Sequence, residues 1–98
     1  MRRYAARVDA NQATIVSAMR SVGASVWPIG LPVDLLVGVA GRTALVEIKT
    51  LVGKRAPKAA RYTQLQREFM VEWRGGTVAT ITDVDGALRL VAAMRELA

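Results

Sequence analysis

Residues 31–50 read LPVDLLVGVAGRTALVEIKT. Branched aliphatic residues fill two short runs on either side of Gly41-Arg42, which marks the stretch as a β-hairpin. Its strands are expected at 33–40 and 43–50, with Gly41-Arg42 at the tip. Uncharged residues dominate both faces of each strand, the pattern of a sheet covered on both sides. Three charges interrupt it: Asp34 near the start, and Glu47 and Lys49 near the end. A strand interior excludes charge unless the charge is paired or bound to something.

A two-residue tip at Gly41-Arg42 pairs Ala40 with Thr43, so Leu36 faces Glu47 and Asp34 faces Lys49. Opposed residues share a face, as do residues two apart along a strand. Asp34, Glu47 and Lys49 therefore emerge together at one end of one face. Val33, Leu35, Val37 and Val39 lie on the other face, opposite Ala44, Val46 and Ile48. A one-residue slip would separate the charges and spoil both faces. Gly38 and Ala40 are small, which would let a helix approach the charged face, the first helix being the natural candidate.

Working outward, Asp9 can cap a first helix, with Gln12 as its capping-box partner and Ile15, Met19 and Val22 on one face. Gly23 suits its end. A strand is expected at 25–29, closed by the Gly30-Leu31-Pro32 turn. After the hairpin, Gly53 and Pro57 break up a loop over 51–61. Thr63 can cap a second helix with Gln66 as partner, and Leu65, Phe69 and Trp73 form its apolar stripe up to Gly75-Gly76. A strand at 77–81 and a helix at 83–97 follow, with Val84, Leu88 and Val91 facing inward. The expected order is α-β-β-β-α-β-α, an α/β domain with a mixed four-stranded sheet whose fourth strand runs parallel to the third.

The chain has 98 residues, so a single domain over 1–98 is expected. No apolar run is long enough to span a bilayer, and MRRYAARVDANQ lacks the apolar core of a secretory signal. With no cysteine there is no disulfide framework and no thiolate metal site, and a cytoplasmic setting is the simplest reading. With no histidine there is no Ser-His or Cys-His nucleophile pair and no imidazole ligand. Catalysis, if any, falls to carboxylates, lysine, hydroxyls or an oxygen-bound hard metal. Lys plus Arg outnumber Asp plus Glu by 14 to 8, a balance that suits a polyanion. No acid occurs between Ile48 and Arg67, while Lys49, Lys54, Arg55, Lys58, Arg61 and Arg67 all fall there.

Two converging carboxylates can hold magnesium, an ion that keeps several waters and takes one or two carboxylates from a protein. The Ile48 backbone carbonyl can add a ligand. A nearby ammonium can activate an attacking water or offset charge on a phosphate. Carboxylate, metal and lysine thus serve phosphodiester hydrolysis without histidine. The plainer alternative is a cross-strand ion pair between Asp34 and Lys49, worth roughly 0.2–1 kcal/mol.

These residues resemble the PD-(D/E)xK nuclease superfamily, and within it the small phage and bacterial VRR-NUC branch of Holliday-junction-resolvase-like enzymes. The resemblance rests on VDANQ at 8–12, PVDLLVG at 32–38, LVEIK at 45–49, TQLQREF at 63–69, WRGG at 73–76 and TDVDGAL at 82–88. It implies a restriction-endonuclease-like three-layer fold. Position by position, Asp34 and Glu47 match the family's metal-binding acids, Lys49 its catalytic lysine, and Gln66 a glutamine beside the site. The family's proline stands one place earlier here, as Pro32, with Val33 between it and Asp34. The first helix carries Gln12 where the family supplies a glutamate; its amide oxygen can coordinate but brings no charge.

The resemblance implies a magnesium-dependent DNA endonuclease, with manganese as a substitute. At this size the chain has no room for a separate sequence-reading domain, so branched or four-way junction DNA is the expected substrate, held through phosphates. Cutting two strands suits a homodimer. Lys54, Arg55, Lys58 and Arg61 are the candidate phosphate contacts, with Arg2, Arg3 and Arg7 as an arm or a plain tail. Trp27 and Trp73 could stack on bases, although Trp73 continues the stripe of the second helix and reads as core. Two other readings stand beside this one: a nucleic-acid-binding module with a degenerate site, and a non-catalytic subunit of a larger complex.

Overall fold

The computed structural model describes residues 10–50 and 63–97. The elements run α1 (Ala10–Ser21), β1 (Ser25–Pro28), β2 (Leu35–Val39), β3 (Arg42–Ile48), α2 (Gln64–Glu72), β4 (Thr77–Ile81) and α3 (Val84–Leu97). This is the expected α-β-β-β-α-β-α order. The sheet order is β1-β2-β3-β4. β1–β2 and β2–β3 are antiparallel and β3–β4 is parallel, so the sheet is mixed.

Each element has a local cause. Ile15 and Met19, four apart, are fully buried on α1 and Val16 is buried beside them. The helix stops at Gly23 (φ 97°), whose N–H goes to the Arg20 carbonyl while Ala24 N–H goes to Met19. That pair of bonds is a Schellman motif, and its positive φ favours glycine. Val22, expected to face inward, is instead the residue at which the helix turns, and it is exposed. On α2 the Thr63–Gln66 capping box is present in both directions.

The hairpin tip differs from the expectation. Val39 pairs with Arg42, and the tip is Ala40-Gly41, both with positive φ (50° and 83°). This is the type I′ arrangement, whose twist matches the strands. It places glycine at the second tip position rather than the first. Moving the tip by one residue shifts the register by two, so every side chain keeps its face. The strands are shorter than expected, 35–39 and 42–48 rather than 33–40 and 43–50.

One face of the sheet carries the core. Val26, Leu35, Val37, Val39, Ala44, Val46 and Ile81 are buried there under Ile15, Val16 and Met19 of α1 and Ala87, Val91 and Met94 of α3. Each fully buried aliphatic side chain contributes about 1.5–3 kcal/mol of transfer free energy. The other face is not covered in the same way. Trp27, Leu36, Leu45 and Val78 line up across it, with Trp27 69% and Leu36 37% exposed. The expectation that α1 packs on the charged face is overturned, since Ile15, Val16 and Met19 join the core on the other one. Among the described residues the charged face has no comparable cluster of buried side chains. A Cβ at Gly38 would make only ordinary contacts, 3.8 Å from Arg42 O and 3.9 Å from Ser25 Cβ, so the strand spacing does not require glycine there.

The stripe on α2 does not reach the core either. None of its residues is buried, and Leu65 and Trp73 are exposed. Trp73 packs on Phe69, with ring centroids 5.3 Å apart, and donates its indole N–H to Gly76 O at 2.9 Å. A Cβ at Gly75 would fall 2.1 Å from the same indole. Trp73 thus closes the turn into β4 instead of filling the interior. No helix among the described residues is long and apolar enough to cross a membrane.

Candidate functional site

The β2–β3 ladder ends at the Leu35↔Val46 pair. Beyond it, Asp34 turns its carboxylate to the strand: Oδ2 accepts the Ile48 N–H at 2.8 Å. The Asp34 carbonyl accepts from Ile29 N and Gly30 N at 2.8 and 3.3 Å, which fixes the residue from its other side. Lys49 N–H goes the opposite way, to Ile81 O of β4 at 3.0 Å. Successive residues of a strand alternate their bonding direction, so the Ile48 carbonyl points with its N–H toward Asp34.

Extending the observed register by one step sets Asp34 opposite Glu47, not Lys49. The ion pair changes accordingly. Lys49 Nζ lies 3.3 Å from Glu47 Oε2, so the ion pair is within β3 rather than the cross-strand Asp34–Lys49 pair weighed as the plainer alternative. Both side chains are largely enclosed, 11% and 5% exposed. The second Glu47 oxygen, Oε1, is buried with no hydrogen-bond partner. Burial holds the Glu47 carboxyl above its ordinary range, and the Asp34 charge pushes the same way, against the Gln66 side chain and Lys49.

Gln66 caps α2 and also lies beside Lys49. Its Oε1 accepts from Thr63 N at 3.0 Å as a helix cap, and from Lys49 Nζ at a long 3.4 Å. The start of α2 is thereby tied to the charged end of β3. The N-terminal end of α1 reaches the same end of the sheet: Asn11 Nδ2 donates to Thr50 Oγ1 at 3.2 Å and to Thr82 O at 3.3 Å. Gln12, next to Asn11, is 7% exposed and lines a shallow depression with Val16, Arg20 and Pro28. The Asp9 cap and the basic residues Arg2, Arg3, Arg7, Lys54, Arg55, Lys58 and Arg61 lie outside the described residues.

Two neighbours were not foreseen. Thr80 pairs with Glu47 across β3–β4 and shares its face. Asn11 locks α1 to the strand ends. Neither is visible in the sequence, because the β3–β4 register is set across the intervening helix rather than by a tight turn.

The donors suit a hard cation. Glu47 Oε1, the second Asp34 oxygen and the Ile48 carbonyl are all oxygens, and one is buried with nothing to meet it. Among the described residues no group of three or more acidic, histidine or cysteine side chains converges. An ion here would take two carboxylates, one carbonyl and waters, a usual set for magnesium. Compared with known protein families, curated proteins and solved structures, the chain matches none.

Proposed function

We propose that the chain is a magnesium-dependent DNA nuclease of the PD-(D/E)xK superfamily, near its VRR-NUC branch, with a restriction-endonuclease-like fold and a preference for branched DNA. The observation that carries this reading is the buried, partnerless Oε1 of Glu47. A carboxylate oxygen in that state costs free energy unless a cation meets it. Asp34 stands close enough for its charge to raise the Glu47 pKa, a repulsion that a divalent ion relieves.

Glu47 and Asp34 would hold the magnesium, or manganese in its place, with the Ile48 carbonyl beside them. Such an ion would supply Lewis-acid chemistry at a phosphodiester oxygen and a more acidic attacking water. Lys49 places its ammonium next to Glu47 and offsets the charge that builds on the phosphate. Gln66 keeps Lys49 directed at the site from the cap of α2. Lys54, Arg55, Lys58 and Arg61 follow Lys49 in sequence and supply phosphate contacts. Two copies of the chain would cut two strands.

The Lys49–Glu47 ion pair and the neutral Gln12 favour a second reading, a DNA-binding module that does not hydrolyse. Incubation with magnesium or manganese and a panel of linear, nicked, flapped and four-way DNAs separates the two. Cleavage by the chain and not by Glu47→Gln supports the nuclease. Binding without cleavage in either metal supports the module.

A further inference from the structure

Trp27, Leu36, Leu45 and Val78 stand side by side across all four strands, on the face opposite the core. At ordinary strand spacing the row is about 14 Å long. Trp27 is its most exposed member, at 69%, and Leu36 is open beside it. On the same face, the adjacent row holds Glu47 and Thr80, with Asp34 at its end. Asp34 lies diagonally across β1–β2 from Trp27, at a Cα separation of about 7–8 Å.

That separation is comparable to the distance between a nucleotide's base and its own phosphate. A phosphate drawn to a cation that Asp34 and Glu47 would hold would bring its base over the indole, provided that the base has no complementary partner. A paired base cannot reach, since its neighbours in the stack cover both of its faces. The row itself contains no charged residue, and the chain as a whole carries 14 basic against 8 acidic residues. Such a surface suits the apolar face of a base attached to a polyanion.

We propose that this row is a stacking platform for an unpaired base, anchored by Trp27, and that the DNA strand is single-stranded where it crosses the Asp34–Glu47 site. This rests on the nuclease reading and narrows its substrate to DNA with a flap, a gap or an open end. Trp27 acts as a specificity residue: it selects the strand and takes no part in the chemistry. Stacking is tolerant of sequence because every base has a π-face.

The test measures affinity by fluorescence anisotropy, with calcium replacing magnesium, for labelled single-stranded, flapped and fully duplex DNA. Trp27→Ala should weaken binding of the first two by about 5- to 150-fold and leave duplex binding within about twofold. Trp27→Phe should recover most of the loss. In a Trp73→Phe background, the remaining indole emission should fall when single-stranded DNA is added. Equal weakening on all three DNAs, no weakening on any, or unchanged emission overturns the proposal. So does a Trp27→Ala protein that keeps its DNA affinity but changes its sedimentation, because the row is then a contact between copies. If the wild type binds unpaired DNA through Trp27 yet never cuts it in magnesium, the nuclease reading falls and the platform stands. If Trp27→Ala cuts every substrate as the wild type does, the reverse holds.

Discussion

The Asp34 carboxylate accepts the Ile48 backbone N–H at 2.8 Å, in the place where a strand residue would otherwise continue the ladder. One oxygen thus holds the end of β3, and the other is the one the proposed metal site would use. The two uses separate by mutation. Asp34→Asn keeps an acceptor for Ile48, while Asp34→Ala leaves that N–H without its partner at a cost of about 1–3 kcal/mol. Both variants should lose cleavage, but only the alanine should melt clearly lower than the wild type. A cleaving Asp34→Asn protein would remove Asp34 from the metal site.

Glu47 has a pH signature. Burial first, and the Asp34 charge second, raise its pKa above the ordinary 4.5, against the pull of Gln66 and Lys49. An acid with a raised folded pKa keeps its proton longer when folded than when unfolded. Its contribution to stability therefore falls as pH rises above 4.5, and stays reduced above the folded pKa. Glu47→Gln removes this dependence. The melting temperature of the variant relative to wild type should climb as pH rises above 4.5 and level off above the raised folded pKa. Magnesium at neutral pH should raise the wild-type melting temperature and not that of the variant. A difference that is flat with pH would contradict the assignment.

Thr63 and Gln66 share the cap of α2, but only Gln66 also touches Lys49. Thr63→Ala should lower stability by about 0.5–2 kcal/mol and leave most of the cleavage rate intact. Gln66→Ala should cost a similar amount of stability and also slow cleavage with little change in DNA affinity. Equal rates for the two variants, at equal melting temperature, would reduce Gln66 to a cap alone.

For the basic run, replacing Lys54, Arg55, Lys58 and Arg61 together by alanine should weaken duplex binding while leaving metal affinity alone. Each lost phosphate contact flattens the log-affinity against log-salt slope by about 0.9, so four contacts change it by roughly three to four. An unaltered slope would move the DNA surface to the N-terminal arginines or to α2.

The faces of the hairpin were legible because a strand's side chains alternate with period two, and the two-residue slip at Ala40-Gly41 preserved that parity. The slip itself was hidden. Alanine at φ 50° is not a residue that advertises a left-handed turn position. Misplacing the tip also set Asp34 opposite Lys49, whereas the observed ion pair of Lys49 is with Glu47 of its own strand. Gly23 and the Thr63–Gln66 box were readable because helix ends use few residue types for definite hydrogen-bonding reasons. The side taken by α1 was not readable. Both faces of the hairpin are rich in aliphatics, and only the burial of Ile15 and Met19 against Leu35 and Val37 decides between them.

Among the described residues the strand order leaves the sheet two open borders, and β1 is a poor one to extend. Ile48 directs its N–H toward β2 and Lys49 directs its own toward β4, and carrying that alternation across the sheet turns Val26 and Pro28 outward from β1. Pro28 has no N–H to offer, and the Val26 carbonyl is already occupied by the Arg20 guanidinium at 2.7 Å. A strand arriving there would find few docking points over only four residues, which protects the fold from edge-to-edge aggregation. Among the described residues, a second chain that continued the sheet would find the better edge beside β4, along Thr77–Ile81.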